Sequence, residues 1–344
     1  MWASDHHALC ADVRDPMQEP QGFRATLRGD AVIDLRSYEL MRIQGRDTIS
    51  FLQTKLTCDT RPWATTGGGY GFATDIQGKV IFDGHFRIEP GAAQPTVWAW
   101  LAPGYGELAK EHFDRYIIME DVETHLSPCV SIGVLQRRDP SDADEHDDAS
   151  PCTSPMQLSE LPGLGLAQTF AFAVGERLQL TLWLVPPETS DAALTSLLAQ
   201  TAGAELASSE GYHAALTHWG VARFGPDIIP GQTIPLEAGA WHGVSFSKGC
   251  YLGQEVIERL YARGQPNKRL VALDVAGPPP APDTPLHDAS EAAAGWVTSS
   301  APELDGTTHA LAYVRRRWLK DDPTLRLPDG REIVIRTIVG GDPP

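Results

Sequence analysis

Lys248-Gly249-Cys250-Tyr251-Leu252-Gly253-Gln254-Glu255, with Arg259 close behind, sets one thiol beside a cation in a glycine-punctuated turn. The residues that follow predict a helix from Gly253 to Tyr261. The amides at its start and the Lys248 ammonium both favour a thiolate at Cys250. Cys250 is the first candidate for reactive chemistry, with Lys248 as its partner. Further out, residues 248–269 hold five basic side chains (Lys248, Arg259, Arg263, Lys268, Arg269) against two acids (Glu255, Glu258), a local +3 in a chain of net charge −17. A positive patch in an acidic protein suits a small anionic ligand; a solvated face balanced by acids elsewhere is the plainer alternative.

The 344 residues allow two or three domains, and 42% of them are hydrophobic. No apolar run approaches the roughly twenty residues that a membrane helix needs, so the composition reads as globular and without a membrane partner. The first thirty residues carry Asp5, Asp12, Asp15 and Glu19 and lack an apolar core, which fits neither a secretory signal nor an acid-poor presequence; a cytoplasmic location is expected. Cys10, Cys58, Cys129, Cys152 and Cys250 are odd in number and widely spaced. That argues against a disulfide framework and against a CxxC metal or redox pair, and the histidine spacings supply no metal site. The acidic balance opposes direct nucleic-acid binding, which depends on basic residues neutralising phosphates.

Along the chain, residues 1–30 read as a loose extension and regular structure is expected from Ala31. Glu39 to Ile43 reads as a strand, with Gly45-Arg46-Asp47 as a helix cap after it. Tyr70 to Thr74 and Val80 to Ile88 read as a hairpin whose second strand places Val80, Phe82, Gly84, Phe86 and Ile88 on one face. A strand from Thr96 to Leu101 and a helix from Gly106 to Tyr116 follow. The run Gly67-Gly68-Gly69-Tyr70-Gly71 lacks the Gly-Lys-Ser/Thr of a phosphate loop and reads as a tight turn. Asp139 to Asp148 is an acidic, proline-bearing block expected to be a solvated loop. Leu178 to Val185 alternates as a strand, and Thr189 or Ser190 caps a helix ending at Gly203. Tyr212, Leu216 and Trp219 share a helical face, a pattern that more often marks core than ligand. Asn267 to Val275 reads as a strand, Gly277-Pro278-Pro279-Pro280 as a rigid linker, and the remainder as a compact β-barrel, with Arg315-Arg316-Arg317 at a solvent-facing strand end.

The cysteine segment resembles the lysine-glycine-cysteine-aromatic-x-glycine-glutamine-glutamate signature of the YgfZ family. Those are folate-binding proteins related to the glycine-cleavage aminomethyltransferase and linked to iron–sulfur cluster maintenance. Gly45-x-Asp47, Phe51-Leu52-Gln53, Leu56-Thr57-x-Asp59, Gly220 to Gly225, Ile234-Pro235-x-Glu237, Arg263-Gly264 and Asn267-Lys268-Arg269-Leu270 extend the likeness over most of residues 31–340. The resemblance implies an α+β, three-domain aminomethyltransferase-like fold around a central channel. In it, 1–30 is an extension, 31–125 plus 206–265 a discontinuous folate-binding domain, 126–205 a ferredoxin-like α+β domain bearing the acidic loop 139–150, and 266–344 a C-terminal β-barrel.

The same resemblance implies tetrahydrofolate or a derivative as ligand. Tyr38 and Tyr212 stand where relatives use aromatics, often tryptophans, against folate, and a phenol ring stacks on a pterin with less area than indole. Asp83 stands near the position of the transferases' acidic pair, with Phe82 where the other acid would be. Tyr251, Gln254, Glu255 and Arg259 complete the implied folate-binding set. Gln254, Glu255 and Arg259 have an equally good structural explanation, because a buried helix start needs its polar groups satisfied. The expected function is support of iron–sulfur cluster assembly or repair, including iron–sulfur enzymes that modify tRNA, with iron–sulfur carriers or client proteins as partners. Tetrahydrofolate-dependent aminomethyl or one-carbon transfer, and a noncatalytic scaffold for an iron–sulfur carrier, are the alternatives.

Overall fold

The computed structural model describes residues 18–137, 156–174, 178–262, 266–320 and 324–341. The first sheet grows from the hairpin that the sequence alternation predicts. β2 (Glu39–Gln44), β3 (Gly68–Thr74), β4 (Val80–Ile88), β5 (Thr96–Leu101) and β6 (Glu123–Ser127) pair in the order β3-β4-β5-β2-β6. One face of β4 buries Phe82 and Phe86 with Met41, Phe51 and Phe113, under α2 (Thr48–Lys55), α3 (Trp63–Thr66) and α4 (Gly106–Asp114). Side chains alternate across a strand, so Asp83, His85 and Arg87 point from the opposite face toward a second sheet. There His85 stacks on Phe172 at 4.0 Å.

That second sheet runs β11-β1-β7-β10-β9-β8, from β1 (Ala31–Leu35), β7 (Val130–Arg137), β8 (Gln157–Leu161), β9 (Gly165–Val174), β10 (Leu178–Val185) and β11 (Glu205–Ala207). α5 (Ser190–Gln200) covers one face through Ala193 and Leu197 on Val32 and Ile132. The other face shares a core with the first sheet, in which Leu180, Leu182 and Phe172 meet Leu40, Trp98, Trp100 and the Tyr212–Leu216 stripe of α6 (Ser209–Trp219). β12 (Lys268–Ala276), β13 (Pro285–His287), β14 (Ala293–Ser300), β15 (Thr307–Arg315), β16 (Leu325–Arg326) and β17 (Glu332–Ile338) close into a barrel around Val271, Leu273, Leu286 and Val297.

Several expectations are corrected by packing. Residues 23–28 form α1 (Phe23–Arg28), and Phe23 is fully buried against Ala214 and Ala215 of α6, so this part of the extension is core; residues 1–17 lie outside the described residues. β1 completes the second sheet, pairing with β7 and β11, rather than joining the first. Gly68 to Gly71 lie in β3, where a Cβ on Gly71 would meet the Cys58 sulfur at 2.5 Å, so the run serves close packing and not a turn. Asp47 caps α2 by position only, because its carboxylate accepts from the Asp121 amide. α4 ends at Asp114 and α5 at Gln200, each short of the expected end. Gly277 to Pro280 connect β12 to β13 inside the barrel and link no domains. The acidic loop 139–150 falls in a stretch outside the described residues.

The barrel is bolted to the rest through Asp227, which is fully buried. Its Oδ1 accepts from Thr298 at 2.5 Å and Ser299 at 2.8 Å, its Oδ2 from the Arg223 amide at 3.0 Å, and its carbonyl from the Tyr313 hydroxyl at 2.9 Å. Removing the carboxylate leaves buried donors unsatisfied. Asp227→Ala is expected to cost about 3 kcal/mol, read as a lower urea midpoint in equilibrium unfolding.

Candidate functional site

The cysteine segment is clamped to the first sheet and the 56–58 segment through Lys248, Tyr251, Leu252 and Gly253, while Gly249 and Cys250 face outward. Lys248 is 6% exposed, and its Nζ donates to the carbonyls of Leu56 and Cys58, both at 2.7 Å. Burial holds the ammonium down to about 8, against the pull of Cys58 and Asp59. Tyr251 is buried in a core with Phe72, Trp241 and Ile257, its ring 5.2 Å from the Lys248 Nζ. The Thr74 hydroxyl donates to the Leu252 carbonyl. Gly253 has φ 83° and lies so close to the β3–β4 turn that a Cβ would meet Asp75 O at 2.4 Å, which requires glycine there. α7 (Gln254–Ala262) then begins. Gly249 faces open space and Cys250 is exposed.

This geometry corrects the expected pairing of Lys248 with Cys250: the ammonium is committed to two carbonyls, because a buried charge is tolerable only when hydrogen-bonded. The nearby Cys58 thiol is pushed up to about 12 by burial, which leaves it unreactive. The expected cationic patch is also spent internally. Lys268 lies 3.5 Å from Glu237 and over the Trp296 and Tyr313 rings, Arg259 pairs with Glu255, and Arg269 donates to the carbonyls of Val339 and Gly341. Arg263 lies outside the described residues.

A second constellation lines the space between the two sheets. The Tyr70 hydroxyl donates to Asp83 Oδ2 at 2.5 Å, and the Tyr70 ring lies 4.9 Å from His85 and 5.2 Å from His242. His85 is 5.7 Å from Trp100, Trp100 stacks on Tyr38 at 4.2 Å, and the Tyr38 hydroxyl meets His213 Nε2 at 2.8 Å. Tyr70, Asp83, His85 and His213 are half-buried, and His242 is exposed at the edge of the group. Burial raises the Asp83 carboxyl to about 7, with the Tyr70 hydrogen bond pulling the other way. Burial, reinforced by the Arg87 charge, holds the His85 pKa well below its ordinary value. The buried Nδ1 of His85 has no hydrogen-bond partner.

Of the residues expected to bind folate, Tyr38 and Asp83 belong to this wall. Tyr212 is 3% exposed in the core, with burial raising its hydroxyl pKa, and its neighbour His213 is the residue that reaches Tyr38. Tyr251 serves the clamp. Gln254 donates to Glu258, and Glu255 pairs with Arg259, so the polar partners of all three lie within α7. Sequence reasoning missed Tyr70, His85, Trp100, Phe172, His213 and His242. The signal for the first strand's share was present: Asp83, His85 and Arg87 repeat every second residue on a strand whose other face is core.

Two consequences can be measured. The Asp83 pKa is raised in the fold above its ordinary 3.8, so the stability it contributes is complete below that value and is lost as pH rises through about 7. Asp83→Asn should therefore gain on wild type between those limits and run parallel above them, in urea unfolding at several pH values. Lys248→Met leaves the Leu56 and Cys58 carbonyls without their donor and should lower stability by about 2–3 kcal/mol, with hydrogen exchange accelerating first at residues 56–58 and 248–253.

No protein-family model matches the chain. The iron–sulfur cluster assembly factor IBA57 of Mus musculus is 33% identical over 142 residues, 39% of this chain and 38% of the mouse protein. The tRNA-modifying protein YgfZ of Vibrio vulnificus is 24% identical over 274 residues, 74% of each chain. Among solved structures, the glycine cleavage system aminomethyltransferase T of Bartonella henselae superposes with a TM-score of 0.73 at 16% identity, covering 91% of this chain and 87% of its own. The chain thus has the aminomethyltransferase fold and is similar in sequence to a YgfZ protein over about three quarters of its length.

Proposed function

We propose that this protein binds a reduced folate in the channel and supports assembly or repair of iron–sulfur enzymes, including those that modify tRNA, with Cys250 as the thiol that meets the partner. The observation that carries the reading is the unbroken line of rings from His213 through Tyr38, Trp100, His85 and Tyr70, ending on Asp83. A flat, elongated ligand with a polar ring edge fits such a wall. The unpartnered His85 Nδ1 and the Asp83 carboxyl offer the polar contacts at its inner end. Bound tetrahydrofolate would supply a one-carbon carrier.

The chain's own residues divide the work. Tyr70 fixes one Asp83 oxygen by donating its hydroxyl to it. Lys248 and Tyr251 hold the segment down, so that the exposed Cys250 is presented to a carrier or client protein rather than to the channel. The names of the relatives, an iron–sulfur cluster assembly factor and a tRNA-modifying protein, support that direction. Tetrahydrofolate-dependent one-carbon transfer is the second reading, favoured by a carboxyl that exchanges its proton near neutral pH.

Calorimetry with tetrahydrofolate should show one site per chain; absence of heat at millimolar ligand with folded protein would remove the folate function. In a strain lacking its own YgfZ-type protein, wild type should restore iron–sulfur enzyme activity and Cys250→Ala should not. Full rescue by Cys250→Ala would leave the noncatalytic scaffold, and formation of methylene-tetrahydrofolate from an aminomethylated carrier would establish the transferase.

A further inference from the structure

Arg315-Arg316-Arg317, with Lys320 just beyond, ends β15 and opens a short 3-10 turn over Arg316–Trp318. All four basic side chains are exposed, and none has a hydrogen bond or ion pair among the described residues. Acids outnumber bases in this chain, 45 against 28, and the exposed Arg24, Arg28, Arg46, Arg61, Arg259 and Arg326 each meet a carboxylate. The turn that carries the unpaired arginines is firmly held. The Arg316 amide donates to the Asn267 carbonyl at 2.9 Å, and the Leu319 amide to the Arg316 carbonyl at 3.1 Å. Trp318 is buried, its Nε1 donates to Asp288 Oδ2 at 3.0 Å, and the Arg317 guanidinium lies 3.4 Å over its ring. Arg315 also faces Lys268 directly across the β12–β15 ladder. Glu237 answers Lys268 at 3.5 Å, and no described residue answers Arg315. Residues 315–322 hold these four bases and two acids, Asp321 and Asp322, which lie outside the described residues.

We propose that this turn is a docking site for a short acidic segment of a protein partner, whose carboxylates Arg315, Arg316 and Arg317 receive. Like charges facing across a ladder cost stability, and here they stand unanswered in a chain rich in acids, so the arrangement serves something other than folding. Stacking on Trp318 fixes the plane of the Arg317 guanidinium and leaves its N–H edges free, the geometry that takes a carboxylate in two parallel hydrogen bonds. The hydrogen-bonded turn leaves little backbone to order when the segment arrives. A nucleic acid fits less well. Charges act over about 8 Å at physiological salt, so a short acidic segment meets the turn alone, whereas a long phosphate backbone also lies over the acids that give the chain its net −17. The site stands independently of the folate reading and of Cys250.

The test is fluorescence anisotropy of labelled decaglutamate with the full chain at low salt, with decaglutamine and transfer RNA as the other probes. Wild type should bind decaglutamate and not decaglutamine, and the binding should vanish at about 1 M salt, where the screening length falls to about 3 Å. The triple substitution Arg315→Gln/Arg316→Gln/Arg317→Gln should weaken it about tenfold or more, the loss expected for hydrogen bonds between charged groups. Arg24→Gln/Arg46→Gln/Arg61→Gln removes the same charge from arginines that already have acids and should leave binding nearly unchanged. Arg315→Gln alone relieves the charge facing Lys268 and should melt no lower than wild type. No binding of decaglutamate by wild type at millimolar peptide would overturn the assignment, as would equal binding by the triple variant. An equal loss in the control variant would reduce the effect to net charge and overturn it too. A lower melting temperature for Arg315→Gln would give that arginine a role in the fold and count against the site. Transfer RNA bound more tightly than the peptide, and lost in the triple variant, would replace the acidic segment by a nucleic acid and so overturn the partner assigned.

Discussion

The buried Lys248 ammonium holds this molecule's two distant halves together. It bonds the carbonyls of Leu56 and Cys58, about 190 residues earlier in the chain, and it does so with almost no contact with water. Such a charge is stable only because two strong acceptors are fixed in place for it. Thr57, between those acceptors, is itself fully buried and bonded to Gly243 and Phe72. The returning chain is thereby pinned along β3, which sets His242 over Tyr70 and leaves Cys250 as the outward position of an otherwise inward segment.

The site between the sheets follows from a second constraint, the two-sided character of β4. One face supplies phenylalanines to the helix-covered core, and the other meets the second sheet with an aspartate, a histidine and an arginine. Polar side chains survive there because rings flank them while Asp83 and His85 stay half-buried. Burial then shifts their charge: the His85 pKa is lowered and the Asp83 carboxyl is raised to about 7.

The surface thiol lies on the outward side of one clamp. Lys248, Tyr251 and Gly253 face the core and the β3–β4 turn, while Cys250 faces solvent.

By itself the sequence determined the strands and helices with clear periodicity, the hairpin of β3 and β4, the barrel, and the importance of residues 248–255, because period and turn chemistry are local properties. The likeness of several short motifs carried the overall fold. Tertiary structure alone decided what each motif residue faces. Lys248 and Cys250 are neighbours in the chain, yet one is buried against distant carbonyls and the other is exposed. Local charge counts made residues 248–269 a cationic patch, but Lys268 and Arg269 meet Glu237 and the carbonyls of Val339 and Gly341 from elsewhere in the fold, while Arg259 pairs with Glu255 inside the patch. The rings of the channel come from strands, a helix and a turn spread over more than 200 residues. No local pattern encodes their meeting, because it is fixed only when two sheets pack face to face.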